Sequence, residues 1–112
     1  MRKGQAMDVH HAAAFLALAE ELHFGRAAQR LRMAQPALSR LIKGLENDLG
    51  AALFERSTRH VALTPAGEAL MDVARELVAV SARAREAVRG AVTGETGLVR
   101  LGFAGASINR SV

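Results

Sequence analysis

Apolar residues recur at helical spacing in separate blocks along most of the chain. Phe15, Leu16, Ala19 and Leu22 form one face of a helix expected from about Asp8 to Glu21, with Asp8 suited to cap it. A short alanine-rich helix is expected from about Gly25 to Leu31, and a third from about Gln35 to Leu49. Leu38, Ile42, Leu45 and Leu49 mark the inner stripe of that third helix, and Gly50 stands where a left-handed C-cap belongs. LFERSTRHVAL, from Leu53 to Leu63, alternates apolar ends with a polar middle and reads as a small hairpin. Thr64 and Pro65 then suit the cap and first turn of a last helix, expected to run to about Ala91. TGETG reads as a breaker after it, and LVRLGF as a strand.

The long helix carries a second pattern. Ala66, Leu70, Val73, Leu77, Val80, Ala84, Ala87 and Ala91 are spaced 4-3-4-3-4-3-4, an unbroken heptad seam. Part of it can pack on its own domain, but a helix of roughly 40 Å outreaches so small a core. Self-association is therefore expected, with Leu70, Val73, Leu77 and Val80 in the interface.

The proline of MAQPALSR gives the second and third helices a purpose. A helix-turn-helix pairing turns Ala27, Ala28, Leu31 and Met33 inward against Leu38, Ile42, Leu45 and Leu49. At about 100° per residue, Pro36, Ser39, Arg40, Lys43 and Asn47 then lie opposite that stripe, and Gln35 stands at the helix start. Amide, hydroxyl and guanidinium groups at a helix's leading end match base edges in a major groove: glutamine suits adenine, and arginine suits guanine. Pro36 costs no hydrogen bond in a first turn and stiffens an end whose free N–H groups can meet a phosphate.

Charge supports this reading. The 112 residues carry a formal charge of +4, and from Leu22 to Leu45 there are basic residues (Arg26, Arg30, Arg32, Arg40, Lys43) and no acid. Arg32 and Lys43 are expected at phosphates, while Arg26 and Arg30 suit phosphates or plain solvation equally. Arg59, between the two short strands, suits a narrow minor groove. The chain has no cysteine, so disulfides and thiolate zinc sites are excluded. His10, His11, His23 and His60 lack paired ligand spacing, and no nucleophile–base pair, carboxylate pair or phosphate-binding glycine loop is present. The opening residues resemble a weak signal peptide, but the apolar run from Ala12 to Ala19 is short and serves better as a helix face. No stretch is long enough to span a bilayer. Phe15, Phe24 and Phe54 are expected in the core.

FLALAEELHFGRAAQRLRMAQPALSRLIKGLENDLGAALFERSTRHVALTPAGEAL, followed by LVRLGF, resembles the N-terminal part of the LysR-type bacterial transcriptional regulators, over about residues 7 to 105. The resemblance implies a mainly α winged helix-turn-helix with the two-helix motif at 24–43, the wing at 53–63, and a dimerising linker helix at 65–91. DNA contacts would carry over to Gln35, Pro36, Ser39 and Arg40, and to Arg59 in the wing. It further implies a cytoplasmic, promoter-binding homodimer, or a tetramer at full length, on duplex DNA with an interrupted dyad. Residues 1–6 would be a disordered leader, and 92–112 a hinge and the truncated start of an effector-binding domain. No cofactor is expected in this stretch; a small-molecule effector is implied for the full-length protein. The chain departs from the family pattern at Ala34, where a capping serine is common, at Ala37, often proline, and at Leu41, often glutamine. A protein-interaction module with a solvated basic face is the alternative from the residues alone.

Overall fold

A computed structural model describes residues 7–97, so the leader at 1–6 and the strand read in LVRLGF lie outside the described residues. The element order is α1 (Val9–Glu21), α2 (Phe24–Leu31), α3 (Gln35–Leu49), β1 (Phe54–Arg56), β2 (Val61–Leu63) and α4 (Pro65–Gly97). The chain divides into a head ending at Val78 and a second unit beginning at Ala79.

Local chemistry starts and stops each helix. Asp8 caps α1 by accepting the His11 N–H at 3.0 Å, and that bond holds the Asp8 carboxyl below the usual carboxylate range. α2 begins at Phe24, one residue earlier than expected, because the ring of His23 caps it: Nδ1 accepts the Arg26 N–H at 3.0 Å. α3 starts after Ala34 with no side-chain cap; Pro36 sits in its first turn. The turns after α1 and α2 close on left-handed Leu22 (φ 49°) and Arg32 (φ 59°), and α3 closes on Gly50 (φ 75°).

The core of the head is built where α1, α2 and α3 cross. Phe15 and Leu18 of α1, Ala27 and Ala28 of α2, and Leu38, Ile42 and Leu45 of α3 are all buried. The two alanines let α2 approach its neighbours closely. Two inward assignments are corrected: Leu22 is 43% exposed and Leu49 47% exposed. Both lie at or beside a left-handed residue that ends the helix, so the chain turns away before the stripe closes. Leu41 packs half-buried against the core, which gives the apolar departure from the family pattern a structural use.

The hairpin is antiparallel, with Phe54 opposite Leu63 and Arg56 opposite Val61. Phe54 anchors it: its ring centroid lies 5.5 Å from that of Phe15. At the other edge Thr64 Oγ1 accepts the Gly67 N–H and donates to the Ala52 carbonyl, while the Thr64 N–H reaches the Leu53 carbonyl. Gly67 is required there, because a Cβ would collide with the Leu53 carbonyl oxygen.

α4 corrects two expectations. It does not stop near Ala91 but continues through TGETG to Gly97. Glycine weakens a helix by about 1 kcal/mol per residue without forbidding it, and the chain's prolines, at 36 and 65, leave every later backbone donor in place. Within the head, Leu70 and Leu77 pack half-buried on the core around fully buried Ala74, whereas Val73 is 58% exposed. In the second unit Val80 is 45% exposed. The seam thus splits: Leu70 and Leu77 serve the head, and Val73 and Val80 remain bare.

Candidate nucleic-acid interface

Because α3's inner stripe is buried, its opposite side faces solvent from the first turn onward. Gln35, Pro36, Ser39, Arg40, Lys43 and Asn47 are all exposed. Arg32 is exposed too, in the left-handed corner just before this helix. Arg59 stands exposed in the turn between β1 and β2, where its N–H donates to Ser57 Oγ. One cleft joins the two regions: Gln35, at the start of α3, lines it together with His23, Gly25, Ser57, Arg59 and His60. The fold therefore brings Gln35 and Arg59 together, residues far apart in sequence. Ser39, Arg40 and Lys43 follow along α3, outside that cleft.

Ion pairing divides the head's cations. Arg30 bonds Glu20 at 2.5 Å and Glu21 at 3.2 Å, and these carboxylates, Glu20 first, hold its guanidinium still more firmly protonated. Arg26 lies 3.4 Å from Glu21. Arg56 pairs with Glu46, and Arg75 with Asp72. The other cations among the head's described residues are Arg32, Arg40, Lys43 and Arg59, and none of these four has a carboxylate partner among the described residues. The acid-free run of sequence is thus partly filled in space: Glu20 and Glu21, just upstream, reach back to Arg26 and Arg30. These two arginines are tied to α1, and the field facing outward comes from the unpaired four.

Sequence reasoning missed three residues here. His23 caps α2 and lines the cleft, a role histidine fills too seldom for its type to announce it. Glu46 is the one buried polar or charged side chain among the described residues, and Arg56 is its partner. Their separation of ten residues matches no local period; an acid directly after inward-facing Leu45, with a second at Asp48, was the sole trace.

Residues 9–68 match the family model described as bacterial regulatory helix-turn-helix protein, lysR family. The chain belongs to the LysR family. Among curated LysR relatives, it is 52% identical over 99 residues to the HTH-type transcriptional regulator ShiR of Corynebacterium glutamicum, covering 88% of this chain and 34% of that protein. It is 49% identical over 94 residues to XapR of Escherichia coli, covering 84% of this chain and 32% of that one. This LysR chain thus spans about a third of the length of these regulators. Its fold is similar to that in the crystal structure of a CbnR DBD–DNA complex, with a TM-score of 0.72 and 37% identity over 77% of this chain and 99% of that one. The oxidised form of Corynebacterium glutamicum OxyR matches with a TM-score of 0.73 and 37% identity over 77% of this chain and 28% of that one. With these LysR neighbours the mainly α, winged helix-turn-helix architecture is shared.

Proposed function

We propose that this LysR-family chain is the promoter-binding part of a cytoplasmic, effector-responsive bacterial transcription regulator. Among the head's described residues Arg32, Arg40, Lys43 and Arg59 are the unpaired cations, and that observation carries the reading. They surround the exposed end of α3 and the hairpin tip, where a polyanion can take the place of missing carboxylates. The DNA-binding domains of CbnR and BenM share the fold in crystal structures of their DNA complexes, which supports duplex DNA as the partner.

In this reading α3 enters the major groove. Arg40 reads guanine through two parallel bonds, Gln35 reads adenine, and Ser39 contacts either a base or a phosphate. Pro36 keeps the helix start rigid beside the backbone. Lys43 and Arg32 neutralise phosphates, and Arg59 enters the adjacent minor groove as the wing's tip. Val73 and Val80 meet a second copy, with Leu70 and Leu77 behind them, so two heads read an interrupted dyad. A small-molecule effector acts elsewhere in the full-length regulator.

Selection of bound sequences from a random duplex pool tests the proposal. An enriched motif with two related half-sites is expected, with retention on DNA falling steeply as salt rises. No enrichment, together with salt-insensitive retention, would overturn it.

A further inference from the structure

We propose that Glu46 is a positioning residue, the group that aims the wing at DNA from the recognition helix itself; this rests on the DNA reading above. Glu46 lies on the inner side of α3, and its side chain is 10% exposed. Oε2 accepts the N–H groups of Leu53 at 2.8 Å and Phe54 at 3.2 Å, the residues at the root of β1. Oε1 accepts from Arg56 Nη2 at 3.0 Å, at the far end of the same strand. The Arg56 guanidinium in turn lies 5.3 Å from the centre of the Phe24 ring, at the first residue of α2. One carboxylate therefore joins both helices of the helix-turn-helix to both ends of β1.

Packing alone does not call for a carboxylate here. A buried ion pair gives stability no better than an apolar pair of equal volume, because desolvation offsets attraction. What three directed bonds add is an angle. A two-stranded hairpin does not hold its own direction, and each strand here has only three residues. At about 3.3 Å per residue the tip stands roughly 10–15 Å from Leu53, so a tilt of about 10° at the root displaces Arg59 by roughly 2 Å. A displacement of that size takes a guanidinium out of a narrow groove. Thr64 and Gly67 hold the other edge of the root against α4, which leaves Glu46 as the link that refers the wing to α3.

The test is a double-mutant cycle between Glu46 and Arg59, with no bond between them, read on the duplex enriched from the random pool. Arg59→Ala alone is expected to weaken binding about tenfold, and in the Glu46→Ala background less than about twofold, because an unaimed wing has nothing left to lose. Equal losses in both backgrounds would overturn the proposal. Glu46→Gln guards against a misfolded alanine variant. Its carbonyl still accepts the Leu53 and Phe54 N–H groups, but its amide opposes Arg56, and the Arg59 cost should fall about threefold; an undiminished cost overturns the proposal. Amide exchange decides the clamp without DNA. Glu46→Ala should lower protection at Leu53 and Phe54 about tenfold and leave Leu18 and Ile42 unchanged. A parallel fall at all four would make Glu46 a fold-stability residue only. Wild-type protein that prefers no duplex sinks the DNA reading, while the exchange result still decides whether Glu46 holds the wing.

Discussion

Arg40 has nothing to hold it on the protein side: it is exposed, one turn into α3, with no carboxylate within reach among the described residues. Its guanidinium is therefore free to spend both donor pairs on a guanine, and Arg40→Ala should cost about 1–3 kcal/mol at the preferred duplex. Random duplex should lose much less, and Arg40→Lys should not restore the preference, since an ammonium lacks the planar fork. Titration of both duplexes checks this; equal losses would make Arg40 a backbone clamp. Arg32 poses the opposite case, because its backbone is strained as well as its side chain exposed. A non-glycine residue at φ 59° sits where its Cβ is unwelcome. Arg32→Gly should raise stability by up to about 1 kcal/mol while weakening all duplexes alike. Thermal unfolding and binding moving in the same direction would deny Arg32 a phosphate contact.

Among the elements, α4 shows most clearly what periodicity carries and what it omits. The heptad seam was legible, yet a seam does not say which side of it a domain will claim. The head takes Leu70, Ala74 and Leu77 and leaves Val73 exposed, and in the second unit Val80 is exposed as well. Val73→Asp should therefore leave the circular dichroism of the head unchanged and shift sedimentation from dimer to monomer. Leu77→Asp should damage both, since a charge would enter a half-buried site at a cost of several kcal/mol, on the order of that for any unpaired buried ion. A wild type that sediments as a monomer at micromolar concentration would end the dimer proposal. α3 was legible at both boundaries because Pro36 and Gly50 are strong local signals. The start of α2 was not, because a histidine cap is chemically sound but statistically quiet. The C-terminal limit of α4 was misjudged because glycine lowers helix stability without setting an end. The exposed face of α3 was readable from apolar spacing alone, but the Glu46–Arg56 link was not. It exists only once α3 and β1 have packed.

For the molecule as a whole, the formal charge of +4 matters less than where neutralisation fails. Each phosphate met by one of the four unpaired cations among the head's described residues should add about 0.9 to the slope of log affinity against log salt. Lys43→Ala should lower that slope by about one and weaken specific and random sequences alike. An unchanged slope would remove Lys43 from the phosphate contacts. The bare stretch of α4 carries a further consequence. Between Ala79 and Gly90 only Ser81 is even half-buried, so that segment draws almost nothing from a core. An isolated helix of about a dozen residues is marginal in water. Whatever covers this one also folds it, and assembly and helix formation become a single equilibrium governed by mass action. Helical ellipticity should then fall on dilution while the head's own melting transition stays where it was, so that the protein's secondary structure reports its concentration.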